Sequence, residues 1–149
     1  MEASETLDVF KSNSPAQTKK IAQDLAKSLT GGDVVALYGD LGAGKTVFVK
    51  GLAAGLGITS PITSPTFVFV KSYPLKINNR AKTFYHLDLY RASSSTDIKS
   101  LGLDEIFTKS AIVVVEWADR LTKLPKPAIR VVIKKLNEKE RLIKIDRKF

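Results

Sequence analysis

No cysteine occurs anywhere in the 149 residues, so neither a disulfide framework nor a thiolate-held metal is available to this chain. Long apolar runs are missing as well: no stretch approaches the roughly 18 residues that a membrane-spanning helix needs. The first residues, Met1 to Glu5, are acidic and polar rather than a basic region leading into an apolar one. The expectation is a cytoplasmic protein with no membrane association. Acidic residues are in short supply, 15 against 24 Lys and Arg, which leaves a formal charge of +9. Arginine is scarce too, 6 against 18 lysines, and the lysines are spread along the chain, densest at Lys19-Lys20 and Lys134-Lys135. Without a run of five basic residues or basic–aromatic interleaving, the charge fits a solvated basic surface facing an acidic partner at least as well as direct RNA binding. A chain of this length is expected to form one domain, residues 1–149, large enough to bury a core.

What is present is a phosphate-binding signature. Gly39-Asp40-Leu41-Gly42-Ala43-Gly44-Lys45-Thr46 fits G-x-x-x-x-G-K-[ST]. Glycines without a Cβ let successive backbone N–H groups turn inward around phosphate oxygens. A helix starting near Gly44 points the positive end of its dipole at the same oxygens. Lys45 is placed to reach the β- and γ-phosphates, and the Thr46 hydroxyl suits Mg²⁺. The flanks agree with the motif: Val34 to Tyr38 reads as a buried strand before the loop, and Val47 to Ala54 as a helix after it.

Along the rest of the chain, Thr6 to Phe10 alternates as an edge strand. Ser14-Pro15 reads as an N-cap with proline at the first helical position. Ile21, Ala22, Leu25, Ala26 and Leu29 then recur at helical spacing up to a stop at Gly31-Gly32. Ser60 to Thr66 is a loop, followed by expected strands over Phe67 to Val70 with Tyr73, a turn at Asn78-Asn79, and a strand from Thr83 to Tyr90. Ser93 to Asp97 is expected to cap a short helix, and Gly102 interrupts the next, which includes Leu103 to Phe107. Ala111 to Val115 is a second fully apolar run, ending on Glu116-Trp117. Two buried runs separated by helices imply a parallel sheet. Ile129 to Ile133 and Arg141 to Ile145 read as an antiparallel hairpin appended to it. The fold class is therefore α/β: a three-layer α/β/α nucleoside-triphosphatase-like fold with a mixed sheet, a parallel core and a C-terminal antiparallel hairpin.

Partners for the phosphate are expected at the carboxyl ends of the strands. Glu116 ends a buried run and is the candidate for Mg²⁺ or its waters. Period-two alternation puts His86 and Asp88 on one strand face, so Asp88 can orient an attacking water, hold a metal-bound water, or act only as a structural cap or an ion pair with Arg91. His86, the single histidine, reads as a hydrogen-bonded core imidazole rather than a catalytic group. Thr66, in Ser64-Pro65-Thr66, lies where a γ-phosphate sensor is expected. Trp117 either stacks near the nucleotide or packs in the core.

GDLGAGKT, SPTF (Ser64 to Phe67), HLDLYR (His86 to Arg91) and EW (Glu116-Trp117) occur in that order. Together they resemble the bacterial TsaE family, also called YjeE, over most of the chain. The resemblance implies a small Mg²⁺-dependent P-loop ATPase, weak alone, that cycles between ATP and ADP. It also implies that this ATPase assists the TsaB–TsaD complex in making threonylcarbamoyladenosine beside the anticodon of tRNA. It implies that Leu41, Gly42, Ala43, Gly44, Lys45 and Thr46 hold the phosphates, that Thr46 and Glu116 serve the metal, that Thr66 lies in a switch-like loop and that Asp88 supports hydrolysis. The adenine is implied to lie near the start of the first helix, Ser14 to Thr18 with Pro15 and Thr18 among its contacts, and near the C-terminal hairpin. The chemistry of threonylcarbamoyl transfer would belong to TsaD, tRNA would be met through the complex, and the free protein would be a monomer. Val47, where many relatives carry a second Thr, and Ala118, where many carry Pro, are departures of minor chemical weight.

The alternative from another class is a small-molecule or nucleoside kinase, which needs an acceptor pocket and an arginine-rich clamp. Arginines 80, 91, 120, 130, 141 and 147 include no clustered pair. A regulatory GTPase lacks support, since neither D-x-x-G nor N-K-x-D occurs. A nucleotide-dependent RNA-binding module rests on charge alone.

Overall fold

The computed structural model describes residues 7–65, 69–76, 81–92 and 94–148. Its strands are β1 (Leu7–Ser12), β2 (Val34–Tyr38), β3 (Val70–Pro74), β4 (Thr83–Asp88), β5 (Ala111–Glu116), β6 (Ile129–Lys135) and β7 (Arg141–Asp146). Its helices are α1 (Pro15–Ala26), α2 (Lys45–Gly55), α3 (Ser95–Lys99) and α4 (Leu103–Ile106). All seven strands join one sheet in the order β1-β7-β6-β2-β5-β4-β3. The two apolar runs, β2 and β5, are parallel neighbours at its centre, with Val35 opposite Val114 and Leu37 opposite Glu116. β6 and β4 extend the parallel core on either side. β3 closes one edge antiparallel, and the hairpin β6–β7 followed by β1 closes the other. The expected α/β architecture and the appended hairpin are both borne out.

Central strands are apolar on both faces because both are covered. One face of β2 and β5, through Val35, Leu37, Ile112 and Val114, packs under Ala22, Leu25, Phe48 and Leu52 of α1 and α2. The other, through Val34, Ala36, Val113 and Val115, meets Ile106 and the partly buried Ile98, Leu101, Leu121 and Leu124. Among the described residues, no helix is long and apolar enough to cross a membrane.

Ser14 caps α1 as its sequence suggests, accepting from the Gln17 N–H at 3.1 Å, while Gln17 Oε1 accepts from the Asn13 N–H at 2.6 Å. The helix ends earlier than its apolar spacing indicates, at Ala26 rather than before Gly31. Ser28 Oγ donates to the Leu25 carbonyl at 2.8 Å, and the chain tightens into i→i+3 turns that still bury Leu29. Phe69 cannot belong to the strand expected over Phe67 to Val70, since its φ of 64° is left-handed. Phe67, Val68, Asn78 and Asn79 lie outside the described residues. β4 stops at Asp88, two residues before the expected Tyr90, because the Asp88 carboxylate accepts from the Tyr90 N–H at 3.1 Å and turns the chain. Ser94 caps α3 through the Asp97 N–H, and Gly102 takes a left-handed φ of 67° ahead of α4.

Candidate active site

The loop between β2 and α2 is glycine-rich for a backbone reason. Gly42 and Gly44 stand at φ 78° and 106°, in the left-handed region, and a Cβ on either would touch nothing within 4 Å. Conformation, not space, requires glycine there. Gly44 is the N-cap of α2 and offers no side-chain bond, so the first N–H groups of that helix remain available to an anion.

Lys45 begins α2 and is 6% exposed. Its ammonium crosses the loop, donating to the Gly39 carbonyl at 2.5 Å and the Asp40 carbonyl at 2.9 Å, and lies 4.3 Å from the centre of the Trp117 ring. Burial pushes the Lys45 ammonium below its ordinary 10.5, while the carboxylates of Glu116, Asp88, Asp40 and Asp119 pull it back up. A cation held this tightly, with carbonyls as its acceptors, can exchange them for phosphate oxygens without leaving the cavity.

Thr46 and Glu116 come together as the sequence suggests: Thr46 Oγ1 donates to Glu116 Oε1 at 3.3 Å. Glu116 is 2% exposed, and its other oxygen sits 2.5 Å from Nε2 of the fully buried His86. The reading of His86 as a hydrogen-bonded core imidazole is right about its burial but says nothing of this partner. Asp88 stands opposite Glu116 in the β4–β5 register. It accepts from Ser64 Oγ at 2.9 Å besides the Tyr90 N–H, which ties the loop after α2 to the strand end. Thr66 lies outside the described residues.

Trp117 is one of two described non-glycine residues with a left-handed φ, here 58°. Its ring lies 5.0 Å from that of Tyr90, tilted by 40°, while it also packs against the second core. Trp117 therefore packs against the core, as one of its two readings has it, and also lines the cavity.

These groups enclose a cavity of about 490 Å³ lined by Leu41, Gly42, Gly44, Lys45, Thr46, Ser64, Asp88, Glu116 and Trp117. Val47 and Arg141 line it too and also line a second cavity of about 340 Å³. That second cavity is bounded by Asn13, Ser14, Pro15 and Thr18 on one side and by Glu138 and Lys139 of the hairpin turn on the other, over Ala43. It lies where the resemblance implies the base. The Thr18 hydroxyl is already bonded to Ser12 Oγ at 2.7 Å, so Thr18 contributes wall rather than a free donor.

Arg141 is the participant that sequence reasoning missed. It opens β7, and its Nε donates to the Ala43 carbonyl at 3.0 Å and its Nη2 to the Gly42 carbonyl at 3.3 Å. Another bond, from Nη1 to the Asn137 carbonyl at 2.8 Å, fixes the guanidinium to the hairpin turn. Ninety-eight positions separate Arg141 from Ala43, and nothing local marks it. Arg91, remote from it in sequence, lines the same cavity.

Among the described residues, no three acidic or histidine side chains converge as a metal cage. A hydroxyl and one carboxylate are instead the donor set suited to Mg²⁺, which keeps waters and takes phosphate oxygens as its remaining ligands.

The family model for the threonylcarbamoyl adenosine biosynthesis protein TsaE matches residues 12–143. The chain belongs to the TsaE family. A Bacillus subtilis tRNA threonylcarbamoyladenosine biosynthesis protein TsaE is 44% identical over 130 residues, 87% of this chain and 78% of that one. Its Treponema pallidum counterpart is 37% identical over 135 residues, 90% of this chain and 96% of that one. Among solved structures, Bacillus subtilis YdiB superposes with a TM-score of 0.78 at 36% identity, covering 96% of this chain and 86% of that one. The family and the loop agree on a nucleotide as the ligand of the larger cavity.

Proposed function

We propose that this TsaE-family chain binds and hydrolyses ATP, with Mg²⁺, in support of threonylcarbamoylation of the adenosine next to the anticodon in tRNA. It acts in the cytoplasm, as a monomeric single domain when free, on the TsaB–TsaD complex, and meets tRNA through that complex. The observation that carries the ATPase reading is the Thr46–Glu116 pair above a phosphate loop whose lysine is already inside the cavity. The tRNA role rests on the names of the relatives.

In this reading the N–H groups of residues 41–46 and the Lys45 ammonium hold the β- and γ-phosphates. Mg²⁺ at Thr46 and Glu116 would supply neutralisation of the phosphate charge that builds up on transfer. Asp88, fixed by Ser64 Oγ and the Tyr90 N–H, orients the attacking water. Ser64 and the Thr66 that follows register the γ-phosphate, so its loss frees the loop after α2 from Asp88. The base enters between Pro15, Thr18 and the hairpin turn, and Trp117 shields the phosphates. Hydrolysis then serves as a conformational cycle for a partner, and the transfer chemistry itself belongs to TsaD.

Reconstitution tests this. With TsaB–TsaD, tRNA and the threonylcarbamoyl donor, the chain should sustain multiple turnovers, and Lys45→Ala or Glu116→Ala should limit the yield to about one turnover. Full activity of either variant refutes the proposal. Arg91 and Arg141 at one cavity keep a kinase as the competing reading, and ADP formation that depends on an added small acceptor, without TsaB–TsaD, would establish it.

A further inference from the structure

We propose that His86 is a positioning residue that sets the Glu116 carboxylate for the divalent cation, a role that rests on the metal reading of Thr46 and Glu116 above. The geometry begins in the sheet. His86 and Glu116 lie on adjacent parallel strands and on one face, since His86 stands opposite Val114 and Asp88 opposite Glu116. That face is the one covered by α1 and α2, where the neighbours Phe84, Ile112 and Val114 are all apolar. An imidazole there is 0% exposed, and burial of a polar ring in such a layer is unfavourable unless it is hydrogen-bonded.

Only half of that requirement is met. His86 Nε2 is 2.5 Å from Glu116 Oε2, whereas Nδ1 has no hydrogen-bond partner among the described residues. As a core filler alone, an apolar side chain of similar volume would serve better. The contact with Glu116 is what the ring contributes. A carboxylate oxygen accepts, so in this contact Nε2 is the donor, and Nδ1 meets no partner among the described residues. Donation to Glu116 is thus the one hydrogen bond the ring makes among the described residues.

The consequence for Glu116 is directional. Its Oε2 is committed to the imidazole, away from the cavity, and Oε1 faces Thr46 at the start of α2. Rotation about the terminal torsion of a Glu side chain is otherwise broad, and a second partner removes that freedom. Outer partners of this kind fix the orientation of a metal-binding side chain, and their loss typically weakens metal affinity about 10–100-fold. His86 itself does not line the cavity.

The test uses the full chain and compares ATP affinity in EDTA with that in Mg²⁺, by calorimetry, for wild type, His86→Leu and His86→Gln. Thermal melts accompany each variant. His86→Leu should bind ATP in EDTA within about two-fold of wild type and need about ten-fold more Mg²⁺ to reach its tighter state. His86→Gln, whose amide can donate from near the Nε2 position, should recover most of that difference. Unchanged Mg²⁺ dependence in His86→Leu overturns the proposal, as does equal loss of binding in EDTA and in Mg²⁺. Wild type with no Mg²⁺ dependence would instead overturn the metal reading itself. An independent readout needs no substitution: His86 is the only histidine, so its two ring nitrogens can be resolved by ¹⁵N NMR. Nε2 should carry the proton and shift when Mg²⁺ joins the ADP-bound protein; a proton on Nδ1 alone, or no response, overturns the proposal.

Discussion

Gly51→Ala should loosen the helix pair that supports the phosphate loop. A Cβ at Gly51 would stand 2.5 Å from the Lys19 carbonyl oxygen, 2.9 Å from Lys19 Cα and 2.7 Å from the Ala22 Cβ, where ordinary contact begins at 3.4 Å. Backbone atoms and a methyl stub cannot rotate aside, so α1 and α2 must part by about 1 Å, a gap that forfeits a quarter to a half of each dispersion contact across it. Overpacking of this kind costs about 1–3 kcal/mol, and the better helix propensity of alanine returns about 1 kcal/mol. Because Leu25, Phe48 and Leu52 all sit in this layer, the upper part of the range applies and the net loss is about 2 kcal/mol. For a chain of this size that lowers Tm by about 4–8 °C. The same displacement tilts the first turn of α2, which carries Lys45 and Thr46, and should weaken ATP binding about ten-fold. Ala54→Gly, on the exposed side of the same helix, is the control: about 1 kcal/mol of propensity lost with affinity unchanged. Calorimetric melts without nucleotide, followed by ATP titration, measure both effects. A Gly51→Ala protein that melts at or above wild type would refute the reasoning, since propensity would then outweigh the close approach.

Three further outcomes follow from the site. Lys45→Met should abolish ATP binding, and its stability relative to wild type should be greatest near pH 7. Burial lowers the Lys45 pKa from 10.5, so the unfolded chain binds the proton more tightly and wild type gains stability as pH rises through the folded toward the unfolded value; melts from pH 7 to 10.5 should show the difference shrinking. Val47→Trp, which fills the wall shared by both cavities, should weaken ATP binding more than ten-fold while leaving inorganic triphosphate within about two-fold in competition titrations, because only the base loses space. Asp88→Asn, which keeps an oxygen for the Tyr90 N–H, should slow ATP hydrolysis about 100-fold with ATP affinity within about three-fold, read by phosphate release and calorimetry.

Local chemistry made much of this legible. The strand–loop–helix around Gly39 to Thr46, the Ser14 cap with Pro15, the apolar run ending on Glu116 and the terminal hairpin all depend on neighbours within a few residues, and each stands where expected. The errors share a cause. The apolar spacing through Leu29 reads as helix because burial and helicity usually coincide, yet Leu29 is buried from a turn that Ser28 tightens. Apolar Phe69 looked like strand, but apolar character does not report a left-handed φ. Asp88 ends β4 through a bond from the Tyr90 N–H to its own side chain, a local turn that the apolar alternation of the strand masks. His86 is the hydrogen-bonded core imidazole expected, but its partner Glu116 is thirty positions away and meets it only across the β4–β5 register, so the pairing itself was not legible.

Arg141 shows what strand direction adds. Parallel strands present their carboxyl ends at one edge of the sheet, and there the ends of β2, β4 and β5 place the phosphate loop, Asp88 and Glu116. β7 runs antiparallel to β6, so it presents its first residue, Arg141, at that same edge, paired with Lys135. β1 is antiparallel to β7 in turn, so its last residue, Ser12, pairs with the other side of Arg141. The chain leaving Ser12 therefore runs straight into Asn13 to Thr18 beside the second cavity. Two reversals of direction at the sheet edge thus convert a hairpin and a terminal strand into the walls of the second cavity. An arginine at the start of a strand has no signature in one dimension, but once β7 pairs with β6 its first residue stands at the phosphate-loop edge. Register, rather than residue type, is what recruits Arg141, and shifting β7 by one residue would turn its side chain to the opposite face of the sheet.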